Sequence, residues 1–334
     1  MTLFRGETAN VIWTNAARAL SHEKGPLQQS SRVGPTKEIL HAHFCLTNAR
    51  QRWVSSRLPA INPAFAVAEF FWILAGSNES SFINRWFPRL AEYQGSGSKY
   101  HGAYGHRIRN SFGFDQLEHA YRVFQENPDS RQVVLQIWNP ELDFPNQDGS
   151  PSAPDIPCNL CSLPKVRDGR LEWLQIMRSN DIFRGMPYNV VQFTMLQETL
   201  AGWLGLETGE YHQISDSLHY YEKDATQFSI EGDNAFLGEP DSIALRKDEH
   251  ERVFKETYRA LSDFSSGMVT RESLVQTVSA LDLPQAYKNL VTVATAEIAR
   301  REKWYDTMET IADQCSDSVL SALWRRWLER VLKK

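Results

Sequence analysis

The sequence predicts an α+β body over about residues 1–230, followed by a helical C-terminal extension over 231–334. Three observations carry that reading. Up to Asp224, short apolar runs of strand length alternate with helical patterns, whereas after it only helical patterns follow one another. Hydrophobic residues make up 42% of the 334 and aromatics 11%, which supplies a large core and excludes a disordered chain. No stretch repeats, so an array of small stacked units is excluded.

The elements follow in order. Residues Glu7 to Ser21 have helical periodicity with one face turned inward, and SSRVGPTKE then makes a polar turn into a strand beginning near Ile39. NPAFAVAEFFWILAG, Asn62 to Gly76, is a strongly apolar helix ended by its glycine, and its single charge is Glu69. SKYHGAYGHRIR, punctuated by glycines, reads as a structured loop. DQLEHAYRVFQENPDS is an amphipathic helix stopped at Asn127 and Pro128, and Arg131 to Asn139 is a strand. Pro140 to Pro157, rich in Pro, Gly, Asp and Ser, is a surface loop. CNLCSLPKV and RLEWLQIM form a hairpin turning at Asp168 and Gly169, followed by the buried helix VVQFTMLQETLAGWLG and the short strand EYHQIS. The extension carries helical patterns near 249–263, 271–280, 283–309 and 316–334. The last puts Leu323, Trp324, Trp327, Leu328 and Val331 to one side, a face suited to docking on the protein's own body rather than on a membrane.

Charge and cysteine usage narrow the function classes. Lys plus Arg number 36 against 41 Asp plus Glu, a net charge of −5, which argues against a broad nucleic-acid surface but allows a small anion held by a few arginines. Residues 1–31 lack a basic-then-apolar leader and no run of eighteen apolar residues occurs, so a cytoplasmic protein off the membrane is expected. Cys45, Cys158, Cys161 and Cys315 are too few and too scattered for a disulfide framework. The CxxC of Cys158 and Cys161 has no second Cys/His pair at zinc spacing, so no metal site is expected.

Several residues have chemistry to offer. Cys158 sits at a loop-to-strand boundary, where it is either a buried structural thiol or a nucleophile whose pKa cationic neighbours lower; Arg131 and Arg178 are candidates for that environment. The same arginines suit a phosphate, because a guanidinium is a rigid donor fork. Asn189 either satisfies a backbone group or reads the edge of a pyrimidine. Glu69 on its apolar helix needs a partner or a task, since an unpaired buried carboxylate is costly. His219 and Tyr221 share one face of an extended segment and suit sugar hydroxyls as well as local packing.

Taken together these pieces resemble the thymidylate synthase family, with its folate-dependent synthases and pyrimidine nucleotide hydroxymethylases, over roughly Arg32 to Asp224. SRVGPT resembles the family's phosphate loop, AEFFWILAGSN the helix of the catalytic glutamate and GAYGHRIR the active-site tyrosine segment. DSRQVVLQIWNP resembles the strand that reaches the partner subunit, PCN holds the nucleophile position, and SDSLHYYEKD matches the histidine and tyrosine beside the sugar. RSNDIFRGMPYNV is the most specific block. The resemblance implies a mixed sheet with surrounding helices and a back-to-back homodimer. It also implies a pyrimidine nucleoside monophosphate as substrate and 5,10-methylenetetrahydrofolate as cofactor. Cys158 would attack C6, Glu69 would manage protons through ordered water, and Tyr104 would support proton removal from C5. Arg32, Arg178 and Ser179 would hold the phosphate, with Arg131 completing the partner's site. Asn189 would fix the base and His219 and Tyr221 the ribose, while Asp181 and Trp86 would lie on the folate side.

The sequence departs from the family pattern at Gln132, where a second arginine is common, at Asn159, where bacterial synthases often carry histidine, and at Ser217, where aspartate is usual. Asn189 is the choice associated with uracil; cytosine-specific relatives usually have aspartate there. The methylating synthases end in a strand pair and an apolar tail that closes over both ligands, whereas this chain ends in helices. A changed lid admits water to a C5 methylene intermediate, so the first expectation is C5 hydroxymethylation. The alternatives are reductive methylation under a replaced lid, and a non-catalytic nucleotide- or RNA-binding homologue.

Overall fold

The computed structural model describes residues 1–21, 27–31, 34–230, 238–265 and 269–332. Nine strands are present among them: β1 (Thr2–Gly6), β2 (Leu27–Ser31), β3 (Gly34–Leu46), β4 (Arg57–Leu58), β5 (Leu135–Gln136), β6 (Asn159–Arg167), β7 (Arg170–Asp181), β8 (Glu207–Tyr221) and β9 (Ser229–Ile230). Seven build one mixed sheet in the order β1-β3-β8-β7-β6-β5, with β2 added on β3, and β4 pairs with β9 apart from it. The expected α+β body with a mixed sheet is therefore present.

The hairpin between β6 and β7 turns where the sequence places it. Arg167 pairs with Arg170, and both Asp168 (φ 49°) and Gly169 (φ 74°) are left-handed, the two-residue turn whose twist matches the strands. The helix Met186–Leu204 then crosses over to β8, which runs parallel to β7. Alternate residues of β7 and β8 point under this helix: Trp173, Gln175, Tyr211 and Gln213 are all buried. The two buried glutamines are satisfied laterally. Gln175 accepts from Ser162 Oγ at 2.6 Å and donates to Asn159 Oδ1 at 2.9 Å, and Tyr211 donates to Gln213 at 2.9 Å. On the opposite face Leu163, Leu174, Ile176 and Ile214, with His43 and His212, remain only half-buried.

Helix Pro63–Leu74 starts as its sequence dictates. Asn62 Oδ1 caps the Phe65 N–H at 3.1 Å and Pro63 takes the first turn. Every residue of it is buried except Glu69, which is half-buried. Three expectations are corrected. Ladder pairing within Arg131–Asn139 covers only Leu135 and Gln136; Ile137 and Trp138 both donate to Leu160 O, and the Gln116 side chain caps the outer edge at Gln136 N (2.7 Å) and Gln136 O (3.0 Å). GAYGHRIR contains the helix Tyr104–Arg109 rather than loop alone. The pattern at 283–309 divides into helices Gln285–Arg301 and Tyr305–Ala312, broken where Lys303 takes φ 62°.

The C-terminal helices pack into the body. In helix Gln285–Arg301 thirteen of seventeen residues are buried, and its Tyr287 ring lies 6.2 Å from Phe71 on the Glu69 helix. Helix Ser318–Leu332 buries Leu323, Trp324 and Trp327, as its amphipathic pattern predicts, and Arg330 near its end donates to Ala60 O at 2.6 Å. None of the described helices is long and apolar enough to cross a membrane.

Candidate active site

Three elements converge on Cys158: the loop ahead of β6, the end of β7, and the turn that opens helix Tyr104–Arg109. The thiol is half-exposed as a residue, yet burial pushes its pKa up. Arg178 opposes that rise, while the carboxylates of Asp155 and Asp181 add to it. Arg178 is held by the loop it serves: its Nε donates to Pro157 O at 2.9 Å and Nη2 to Ile156 O at 3.0 Å. Nη1 lies outside that clamp, on an exposed residue, where it can meet an anion. The backbone repeats the contact, Arg178 N donating to Cys158 O at 2.9 Å.

Tyr104 and Glu69 face the same region. Burial drives the Tyr104 phenol well above its usual pKa, with Cys158, Asp155 and Glu69 each adding repulsion and a bond to Asn159 opposing it. Tyr104 can sit so close to the Glu69 helix because residue 105 is glycine; a Cβ there would lie 2.1 Å from Ile73 O. Burial raises the Glu69 carboxyl to about 8, partly offset by Gln192. Its Oε2 is buried without a hydrogen-bond partner among the described residues, so the carboxyl is neutral at pH 7 and open to a water or a ligand.

Asn189, on the first turns of helix Met186–Leu204, is buried, and among the described residues its amide nitrogen meets only the weak acceptor Met177 Sδ at 3.9 Å. Its polar capacity is thus largely unspent. Asp181 and His219 are register partners on β7 and β8, and the His219 and Tyr221 rings lie 5.3 Å apart edge to face. Asp181 Oδ1 accepts from Phe183 N (2.8 Å) and Arg184 N (2.9 Å). Its Oδ2 is buried without a hydrogen bond among the described residues, 3.9 Å from Arg184 Nε. Burial raises this carboxyl's pKa and His219 opposes the rise. An unfilled buried acceptor of this kind fits the ring N–H groups of a pterin.

The remaining candidates differ in placement. Ser179 follows Arg178 on β7 opposite Ser217, and Ser217 is occupied by Glu38 at 2.6 Å. Arg131 is exposed on the segment before β5. Trp86 is fully buried, its indole N–H donating to Ala294 O at 3.3 Å, which leaves it no free surface for a ring. Arg32 lies outside the described residues. Asp155, Gln192 and Asn159 were not among the candidates for the site; only Asp155, three residues before Cys158, carried a signal in the form of its spacing.

Residues 37–262 match the family model described as thymidylate synthase. Among individual proteins, the chain is 39% identical over 199 residues to the deoxyuridylate hydroxymethyltransferase of Bacillus phage SP01, covering 56% of this chain and 51% of that protein. It is 37% identical over 164 residues to the deoxyuridylate hydroxymethyltransferase of Pseudomonas phage M6, covering 48% and 45%. With the thymidylate synthase of Francisella philomiragia it shares 27% over 192 residues, covering 54% and 69%. The matches thus span about half the length of the two phage relatives.

Proposed function

The chain belongs to the thymidylate synthase family, and on that premise we propose that it transfers a one-carbon unit to C5 of deoxyuridylate and releases the 5-hydroxymethyl nucleotide. The observation that carries the hydroxymethyl reading is the identity of 37–39% to two proteins named deoxyuridylate hydroxymethyltransferase. The phosphate is held by Arg178 Nη1 and Ser179, with Arg32 contributing as the motif implies. Binding there positions the ring over the thiol, so that affinity for a remote group becomes orientation. Asn189 spends its free amide on the uracil edge, and His219 and Tyr221 take the ribose.

Cys158 adds to C6 as a thiolate, favoured by Arg178, and charge develops at C5 and the adjoining carbonyl. Glu69, neutral at pH 7, supplies and recovers protons there through ordered water. Asp181 Oδ2 would hold the pterin of 5,10-methylenetetrahydrofolate, which would supply the one-carbon unit when bound. Tyr104, kept neutral by burial, supports removal of the C5 proton. Loss of that proton would release tetrahydrofolate and leave a C5 methylene; hydroxide from water adds to this carbon, and the resulting enolate expels Cys158 as thiolate, which restores the C5–C6 double bond and takes up the water's proton.

The half-exposed face bearing Leu163, Leu174, Ile176 and Ile214 supports a back-to-back homodimer, which brings the exposed Arg131 to the neighbouring site. We place the enzyme in the cytoplasm.

Mass spectrometry of products from UMP, dUMP, CMP and dCMP with methylenetetrahydrofolate tests the proposal. The expected result is hydroxymethyl-dUMP with tetrahydrofolate released. Stoichiometric dihydrofolate with a methylated base overturns it in favour of thymidylate formation, and turnover surviving in Cys158→Ala overturns the covalent route.

A further inference from the structure

Asp155 belongs to the loop that delivers Cys158, three residues ahead of it, and is half-buried. Its Oδ2 accepts the Gly102 N–H at 2.8 Å, two residues before Tyr104. The approach needs a glycine, because a Cβ at residue 102 would lie 2.8 to 2.9 Å from the Asp155 carboxylate atoms. The start of the same loop is clamped onto the same turn. Asp143 Oδ1 meets His101 Nε2 at 2.7 Å and the fully buried Arg107 at 2.9 Å, while its Oδ2 accepts from Asn139 N at 2.7 Å. The 101–107 turn is therefore gripped by both ends of the loop, and only the Asp155 grip is next to the thiol.

We propose that Asp155 is a positioning residue. Ionised, it pins the Cys158 loop to the turn that presents Tyr104, and its charge adds to the burial that disfavours ionisation of the thiol and the phenol. This rests on the reading of Cys158 as nucleophile and Tyr104 as the group acting at C5. The groups facing Asp155 are His101, Arg107 and Asp143 beneath it, with Tyr100, Tyr104 and Cys158 on the other sides. Burial lifts its carboxyl to about 6, the Gly102 bond, His101 and Arg107 pull it back, and the carboxylate stays mostly charged at pH 7.

Asp155→Asn keeps an acceptor for Gly102 N–H and removes the charge, whereas Asp155→Ala removes both. Two readouts have opposite signs. Iodoacetamide labelling of Cys158, followed on its own peptide by mass spectrometry at pH 7, becomes about two- to fivefold faster in Asp155→Asn, because a repelling carboxylate has gone and more thiolate is present. Product formation falls: kcat drops about 10- to 100-fold in Asp155→Ala, with the nucleotide KM within about threefold, and less in Asp155→Asn. The acid limb near pH 6 in kcat is lost in Asp155→Asn. Labelling unchanged or slower in a folded Asp155→Asn, or wild-type kcat in Asp155→Ala, overturns the proposal. The labelling needs no cofactor, so it reads Asp155 even if the wild type makes no hydroxymethyl product, an outcome that instead overturns the reaction proposed above.

Discussion

Asp181 and His219 stand opposite each other on the parallel strands β7 and β8, and the adjoining Ile182 N–H donates to His219 O at 2.9 Å. One rung of the sheet thereby carries a folate-side residue and a ribose-side residue. Asp181 spends Oδ1 on the backbone at Phe183 and Arg184 and leaves Oδ2 without a hydrogen bond among the described residues.

That division predicts a selective defect. Asp181→Asn retains an oxygen for the two backbone N–H groups and presents a donor or a weaker acceptor to the pterin. The KM for methylenetetrahydrofolate rises about 10- to 100-fold, the value of a charged hydrogen bond of about 1.5–3 kcal/mol, while the nucleotide KM stays within about threefold. Steady-state kinetics with each ligand varied in turn checks this, and a matching rise for both ligands would point to a collapsed turn instead.

Glu69 predicts a pH signature. Its carboxyl titrates near 8 and works in the neutral form, so kcat declines above pH 8, and Glu69→Gln flattens that limb while lowering kcat about 10²- to 10⁴-fold. Stability moves with the same group. A carboxyl raised from 4.5 to about 8 contributes stability that is full below 4.5 and lost as the pH rises through 8. Relative to wild type, Glu69→Gln therefore gains stability between pH 5 and 8 and no more beyond. Urea melts at pH 5, 7 and 9 measure the trend.

Much of this architecture was legible in local pattern. The hairpin at Asp168 and Gly169, the Asn62-capped helix and the inward stripe of Trp324 and Trp327 each follow from short-range chemistry. Legibility failed where a distant side chain decided the outcome. Ladder pairing in Arg131–Asn139 reaches only Leu135 and Gln136, whose outer edge the Gln116 side chain covers, and the break at Lys303 is a single left-handed residue that apolar periodicity does not register. Of the site, Cys158, Tyr104, Glu69, Asn189 and Asp181 were legible because their motifs fix residue type and spacing. Gln192 was not, and Asp155 showed only its spacing from Cys158, since their importance comes from what the fold sets beside them.

Asn189 predicts a change of base. Its amide donates to one pyrimidine edge and accepts at the next, and among the described residues only Met177 Sδ, on β7, competes for the nitrogen. Asn189→Asp replaces the donor by an acceptor, which suits the amino group of cytosine and opposes the carbonyl of uracil. The expected result is a fall in kcat/KM for dUMP of about 100-fold or more and measurable turnover of dCMP, because a buried polar edge left unpaired costs more than a lost contact. Competition between the two nucleotides, read by product mass, checks the ratio.

Trp327 tests whether the C-terminal helices fold as part of the body. Its indole N–H donates at 3.0 Å to Glu297, a fully buried carboxylate that also holds Arg300 and Arg301, and the Arg330 guanidinium stacks 4.9 Å from its ring. Arg330 in turn bonds Ala60 O, just ahead of the helix that carries Glu69. Trp327→Ala removes a large buried ring and costs about 3–5 kcal/mol, whereas Trp327→Phe keeps most of the packing and loses about 1 kcal/mol with the N–H. Calorimetry of the whole chain should show one transition that moves down in both variants, because helix Gln285–Arg301 is packed against the Glu69 helix through Tyr287 and Phe71. A second transition that shifts alone, with turnover retained above it, would make the extension an independent unit.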